Sequence, residues 1–286
     1  VDIASIKSIE TVESTTELEG RKIMYDITGE GPPIVFVHGV WATGGVWYPV
    51  IDELAKRFTC VNIHLPLGVH RYASPKHVDH SPAALARVVA GLLEKLDLRD
   101  VTLVGNDTGG AICQLVITKH PERIGRLVLT NCDAFEVFPP KKLAPLYFIA
   151  RIPFLWKAFA RRTLNRSTQR RFIATVQLTP PDVENVNMLM TRFATDAAIR
   201  EDLRLTILQI SPRVTLDAAK HFSKFDREVL ILWGSEDIFF PVELGRRLEK
   251  AFPRAKMQVV PKARLFVGID QPHVVAKAIA DFVPAN

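Results

Sequence analysis

Short, solidly apolar runs separated by longer amphipathic stretches set the rhythm of this chain. "PPIVFVHG", "FTCVNIHLP", "VTLVGND", "GRLVLTNCD", "EVLILWGSED" and "AKMQVVP" are the runs. They lack strict alternation, as strands covered on both faces do, so they predict a parallel sheet. Ahead of them, "TVESTTELEG" and "RKIMYDITGE" read as an opening hairpin with Gly20 at its turn. Helical patterns lie between and after the runs: "GGVWYPVIDELAKR", "SPAALARVVAGLLEKL", "TGGAICQLVITKHP", "VELGRRLEKAF" and "QPHVVAKAIADFV". The second begins with Ser81 as N-cap and Pro82 at the first helical position. Strands alternating with helices predict a doubly wound α/β sheet.

One region breaks this rhythm. From Glu136 to Phe225 no segment reads as a strand, and "KLAPLYFIARIPFLWKAFARRTL", "STQRRFIATVQL", "PDVENVNMLMTRFATD" and "IREDLRLTILQI" all read as helices. The expected organisation is therefore a core of residues 1–135 and 226–286 interrupted by a helical cap of residues 136–225. Helices inserted there lie over the carboxyl ends of the strands, where open α/β sheets bind ligands. This is the reading of a lid. Its basic cluster from Arg161 to Arg171 reads as a solvated helix face or as an attractor of anionic lipid or substrate.

Composition narrows the picture further. The 286 residues are 48% hydrophobic and 24% charged, enough apolar content for a sizeable core. A formal net charge of +6 is mild and gives no case for nucleic acid as a partner. No apolar run reaches the roughly 18 residues of a membrane span. The first residues, "VDIASIKSIE", lack a signal peptide's apolar stretch. Cys60, Cys113 and Cys132 lie in or beside apolar runs and read as reduced core residues of a cytoplasmic protein. No spacing suggests a metal site, and no cofactor is expected. The expected partners are a small apolar substrate and at most a second copy of the chain.

The chemistry concentrates in "VGNDTGGA". A nucleophile at a strand-to-helix elbow needs small neighbours because the turn is tight and its backbone strained. Asp107 sits at the centre of that pattern, with Gly105 and Gly109 at the small positions. A helix-capping Asp in a glycine-rich turn is the plainer alternative. "VFVHGVWATGGVW" ends a strand in His-Gly and continues in small residues, so Val40 or Trp41 would donate one oxyanion N–H and Thr108 the other. In "LILWGSEDIFFP", Asp237 follows a strand and precedes Pro241, where it could orient a histidine.

Together, His38-Gly39, "GNDTGG", "HPERIGRLVL", "WGSEDIFFP" and the late "DQP" resemble the epoxide hydrolase and haloalkane dehalogenase branch of the α/β-hydrolase superfamily. The resemblance covers nearly the whole chain. It implies an eight-stranded, mostly parallel sheet with a helical cap. It also implies Asp107 as a nucleophile that attacks an sp³ carbon, giving an ester that histidine-activated water hydrolyses.

The same resemblance exposes a gap. Aligned on "FV" and "DQP", the histidine position in "VPKARLFVGIDQPHV" is Leu265, which accepts no proton. His273 falls too late. His70, in "NIHLPLGVHRYAS", is the candidate displaced base or substrate donor, with a loop histidine hydrogen-bonded to backbone as its plainer reading. His38, Trp156, Tyr147 and Leu265 are the residues expected to contact substrate, the plainer readings being a structural part of the oxyanion loop for His38 and core packing for Trp156. His77, His80, His120 and His221 read as surface or helix-end residues. The tryptophan beside the nucleophile that dehalogenases use for halide is replaced by Thr108. The pair of lid tyrosines that epoxide hydrolases use is reduced to Tyr147. Three readings follow: an Asp107 hydrolase of this branch, a lyase, isomerase or cyclase using Asp107 as acid or base, and a catalytically silent small-molecule binder.

Overall fold

The computed structural model describes residues 11–284. The reading of "VDIASIKSIE" as lacking a signal peptide lies outside the described residues. Eight strands form one sheet: β1 (Thr11–Leu18), β2 (Arg21–Thr28), β3 (Pro33–Val37), β4 (Thr59–His64), β5 (Val101–Asp107), β6 (Ile124–Cys132), β7 (Glu228–Gly234) and β8 (Ala255–Val260). Their order is β1-β2-β4-β3-β5-β6-β7-β8. β1 pairs antiparallel with β2 and β2 antiparallel with β4, and every other pairing is parallel. Gly20, with φ +72°, makes the hairpin turn between β1 and β2. The six apolar runs are thus β3 to β8 and the opening hairpin is β1 and β2, the eight-stranded, mostly parallel sheet that the sequence predicts.

Helices cover both faces. On one side, α1 (Tyr48–Leu54) packs with the C-terminal helices α11 (Val267–Asp270) and α12 (Pro272–Phe282). Trp47, Val50, Leu54, Val275 and Ile279 bury that layer against Ile34 and Phe36 of β3. On the other side lie α2 (Pro82–Lys95), α3 (Thr108–Lys119) and α10 (Val242–Ala251). Ser81 caps α2, its hydroxyl accepting from the Ala84 N–H at 3.1 Å. The first helix is shorter than its pattern suggests. Pro49 has no N–H to continue a ladder backwards, so the stretch before it winds as a single 3₁₀ turn, Gly44–Val46.

Between β6 and β7 the described residues form six helices: α4 (Ala144–Ala150), α5 (Pro153–Arg162), α6 (Arg166–Val176), α7 (Val183–Thr195), α8 (Ala197–Gln209) and α9 (Pro212–Ala219). Two of the contacts that fasten them to the core lie in the loops beyond β3 and β4. Trp41, beyond β3, packs its ring 6.1 Å from Trp156 of α5 and 5.8 Å from Phe193 of α7. Asp202 of α8 accepts from the Ser74 N–H at 2.7 Å and pairs with His70 at 2.9 Å, both in the loop beyond β4.

β5 lies in the middle of the sheet and is buried along its whole length, as is α3 from Thr108 to Ile117. The crossing from one to the other leaves no room. A Cβ at Gly109 would lie 2.5 Å from the His38 carbonyl oxygen and against that of Val37. Both are backbone atoms at the end of a central strand and cannot swing away. Gly109→Ala should therefore cost roughly 3 kcal/mol of stability, at the upper end for overpacking a core. The check is the urea midpoint, and a variant within experimental error of the parent would mean the elbow is looser than described.

Candidate active site

Asp107 is the last residue of β5 and takes φ +53° and ψ −132°, a conformation that side-chain-bearing residues avoid. This strain turns the chain directly from strand to helix and projects the carboxylate at the start of α3. Val40 N–H donates to Asp107 Oδ2 at 3.0 Å, and the Thr108 N–H also donates to this carboxylate. A Cβ at Gly39 would collide with the same carboxylate, so only glycine lets the loop after β3 approach.

Val40 and Thr108 present their N–H groups to Asp107. Trp41 does not, because its N–H donates to the Leu67 carbonyl at 2.9 Å. Trp41 contributes differently: it lines the cavity, and its indole Nε1 is buried without a partner.

The cavity above Asp107 is narrow, about 40 Å³. Val40, Trp41 and Thr108 line its sheet end, Leu146 and Tyr147 of α4 its opposite wall, and Leu265 and Phe266 a flank. Leu265 is held there by its backbone, whose carbonyl accepts from Asn106 Nδ2 at 2.8 Å. Its side chain faces the same cavity as Asp107, so Leu265 and Tyr147 are brought together with the elbow. No histidine, lysine or arginine is among the lining residues.

The histidines are engaged elsewhere. The Gly68 N–H donates to His70 Nδ1 at 3.3 Å, so Nε2 carries the proton and donates to Asp202. His70 is thus buried as a link between core and α8 and does not line the cavity. His38 donates from Nδ1 to the Gly39 carbonyl and accepts the Leu65 N–H at Nε2, at 2.9 and 3.0 Å. Burial lowers its imidazole to about 3, so it is neutral and structural rather than substrate-contacting. Trp156 is also withdrawn, donating to the Arg200 carbonyl at 3.1 Å. His64 pairs with Asp26 at 2.8 Å, and His273 sits exposed on α12 beside Glu53. His80, read as a surface or helix-end residue, directly precedes the N-cap of α2 and is buried, because the loop that carries it folds back towards Arg21 and Asp202.

Instead of an imidazole, the site gathers carboxyls. Asp237 follows β7 with both oxygens satisfied: Asn131 Nδ2 donates to Oδ2 at 2.8 Å and the Phe239 N–H to Oδ1 at 2.7 Å. Burial raises it to about 6 against those donors. Asp133 was not singled out from the sequence, although its signal was present: it follows the β6 run "GRLVLTNCD" as directly as Asp107 ends β5. It is fully buried and lines the cavity. Thr108 Oγ1 donates to its Oδ2 at 3.3 Å, whereas its Oδ1 has no partner. Thr108 therefore bridges the pair, N–H to Asp107 and hydroxyl to Asp133. Burial, then the charge of Asp107, pushes Asp133 well above the ordinary carboxyl range. Burial also pushes Asp107 up to about 7, partly opposed by the N–H groups of Thr108 and Val40, with Asp237 adding repulsion. Among the described residues, no group of three or more His, Cys, Asp or Glu side chains is arranged to hold a metal ion.

The raised Asp107 has a thermodynamic sign. Its folded-state value of about 7 exceeds the ordinary 3.8, so the folded protein binds this proton more tightly than the unfolded chain. Stability then falls as pH rises from about 4 to about 7. Asp107→Asn removes the buried charge. Its Tm should exceed the parent's by several degrees near pH 8, with the gap closing towards about pH 5. Thermal melts at the two pH values test this; a gap that does not change with pH would show that the carboxyl is not held out of its normal range.

The family assignment follows from comparison with known proteins. Residues 32–272 match the family model described as alpha/beta hydrolase fold. The 2-hydroxy-6-oxononadienedioate/2-hydroxy-6-oxononatrienedioate hydrolase of Burkholderia vietnamiensis is 27% identical over 90% of this chain and 88% of its own. Two solved structures share the fold at low identity. Epoxide hydrolase CorEH superimposes with a TM-score of 0.80 at 19% identity, over 96% of this chain and 98% of its own. Haloalkane dehalogenase DbeA from Bradyrhizobium elkani does so with a TM-score of 0.80 at 15% identity, over 96% and 97%. With its eight-stranded sheet, its elbow at Asp107 and this match over most of its length, the chain belongs to the α/β-hydrolase fold family.

Proposed function

We propose that this protein is a hydrolase that opens a small or medium neutral substrate at an sp³ carbon, with Asp107 as nucleophile and Asp133 moving the protons. The observation that carries this reading is a cavity whose ionisable groups are Asp107, Asp133 and Tyr147, with no cation among them. Leu265 is read as standing where the family's histidine would be, and the helices between β6 and β7 as the lid. A substrate with fixed negative charge fits this lining poorly. The dicarboxylate named for the Burkholderia vietnamiensis relative would be repelled by it. The free, buried Cys60, Cys113 and Cys132 accord with a reducing compartment, and we place the protein in the cytoplasm.

Two carboxyls so placed do not both ionise at neutral pH. The charge belongs on Asp107, which has the N–H groups of Val40 and Thr108 and a helix N-terminus, and the proton on Asp133, whose donors are the Thr108 hydroxyl and its own N–H and which is raised further by the charge of Asp107. This division suits an oxygen leaving group such as that of an epoxide. Asp107 attacks the ring carbon, the carbon–oxygen bond breaks, and the departing oxygen takes the Asp133 proton. The product is an ester on Asp107 beside an ionised Asp133. Asp133 next removes a proton from the water that adds to the ester carbonyl. The resulting oxyanion rests on the N–H groups of Val40 and Thr108. Collapse of this intermediate releases the alkyl oxygen, which takes the proton back from Asp133, and the acid left on Asp107 returns its proton to Asp133. Epoxide and water leave as a diol, with no proton exchanged with solvent. A haloalkane would leave both a proton and a halide to be expelled from a narrow apolar cavity. The oxygen leaving group is therefore the favoured class. The unpartnered Trp41 Nε1 is a further donor for its oxygen.

The test uses styrene oxide and allyl bromide as probes, with product assay and intact mass. The parent should convert styrene oxide to its diol, and Asp107→Asn should do nothing with either probe. Asp133→Asn should lose at least about 10³-fold of epoxide turnover yet accumulate an allyl ester on Asp107, because bromide leaves without an acid. A parent that forms neither diol nor adduct rejects the nucleophile. An Asp133→Asn variant that keeps the parent's epoxide turnover rejects the proton carrier alone.

Leu265→His supplies the second check. An imidazole at this flank should speed hydrolysis of the allyl ester in the Asp133→Asn background. Unchanged ester decay would mean that Leu265 does not occupy the base position.

A further inference from the structure

The strongest charge asymmetry of the molecule lies outside the catalytic cavity. Nine lysines and arginines, and no aspartate or glutamate, fall between Val137 and Pro181, more than the whole chain's net charge of +6. All nine are exposed. Arg151, Lys157, Arg161, Arg162, Arg170 and Arg171 form no ion pair among the described residues. Glu201 of α8, which packs against α4, is already taken by Arg204 at 2.7 Å. A surface that neutralised itself would show the opposite pattern, with acids spaced at three and four residues from the bases.

Large apolar side chains stand among these cations. Phe148 of α4 is 61% exposed and Phe154 of α5 is 71% exposed. Their spacing is ordered. Lys141, Ala144, Pro145 and Phe148 recur at i, i+3, i+4 and i+7, as do Phe154, Lys157, Ala158 and Arg161, and all eight are exposed. The opposite face of α5 is the one that packs inward, through Trp156 and Ala160. α4 and α5 touch, bent by 119° to each other across Arg151 and Ile152. Each is too short to cross a bilayer. Each presents outwards the mixture that interfacial helices carry, aromatic side chains suited to acyl depth beside cations suited to headgroups.

We propose that the outer face of α4 and α5, extended by the basic residues of α6, docks on an anionic lipid bilayer. Charge selects this partner over a neutral membrane, and the two exposed phenylalanines select a bilayer over a hydrophilic polyanion. The position of the face gives docking a use. Leu146 and Tyr147 of α4 wall the catalytic cavity, while Phe148, next in the chain, faces outwards. A lipophilic substrate dissolved in the bilayer would meet α4 before it met water. This inference does not depend on which reaction Asp107 performs.

Co-sedimentation of the whole chain with vesicles tests it. The protein should bind vesicles of phosphatidylcholine with phosphatidylserine and stay in the supernatant with phosphatidylcholine alone. Each cation near the surface contributes about 1 kcal/mol, so Lys157→Glu with Arg161→Glu should weaken binding at least about tenfold. Phe148→Ser with Phe154→Ser should weaken it too, while leaving binding to heparin, a soluble polyanion, unchanged. All four positions are exposed, so circular dichroism should show parent-like folding. Absence of binding to the mixed vesicles overturns the proposal. So does binding that the phenylalanine variants leave intact, which would reveal a general polyanion site.

Discussion

The carboxylate of Asp107 under the loop after β3 is the constraint on which the rest of the site depends. Its backbone is strained, and strain persists only where neighbours leave no alternative. Here they leave none. α3 begins against the carbonyl oxygens that end β3, and the Val40 N–H closes on the carboxylate from that same loop. Two central strands, β3 and β5, and one helix must therefore be in place before Asp107 can point where it does. The stability of the sheet and the geometry of the site are one property seen twice. That is why a methyl group at Gly109, pressed on the carbonyls that end β3, and a side chain at Gly39, pressed on the Asp107 carboxylate, threaten the same junction.

Around that carboxylate the protein has done something unusual with its protons. Asp237 waits in a loop where it could orient an imidazole, yet its two oxygens are satisfied by Asn131 and by backbone N–H groups. It is self-sufficient. The histidines have been drawn into structural work, His38 under its own loop and His70 against α8. What remains near the elbow is Asp133, with one oxygen unpartnered in a buried place where such an omission is costly. A carboxyl oxygen left open at a cavity wall is a group waiting for a partner; in the proposed cycle the protonated Asp133 donates to the substrate's oxygen and, once ionised, accepts from water.

Much of this was legible in the sequence, and the exceptions have physical causes. Apolar runs without alternation revealed the parallel sheet because burial on both faces allows nothing else. The small residues around Asp107 revealed the elbow because the turn is sterically exacting. His70 was misleading for a definite reason: a loop at the right end of a strand says where a side chain starts, not which acid it will meet. Asp202 lies far along the chain, and only the packing of α8 brings it to His70. Trp41 failed similarly, since an N–H counted as an oxyanion donor is spent on Leu67 two loops away. Asp133 follows its strand as visibly as Asp107 ends β5, but it has no flanking glycines. Its importance comes from burial beside a second carboxylate, a pairing that only the parallel register of β5 and β6 creates.

The distribution of charge joins the two halves of the molecule. Inside, the cavity carries acids and no base; outside, α4 to α6 carry bases and no acid. Random solvation of a mildly basic chain would mix the signs on both surfaces. Segregation instead separates two tasks that one surface could not perform. A cationic cavity would draw anions to Asp107 and hold its carboxyl ionised, abolishing the shared proton. An acidic exterior would repel an anionic bilayer from the wall nearest the cavity. With the signs as they are, the proposed docking face is attracted to an anionic surface while the cavity lining disfavours anions, and on that reading a substrate drawn from the bilayer meets α4 first. The helix whose Tyr147 faces Asp107 and whose Phe148 faces outwards is thus the element where recognition and chemistry have to be coupled.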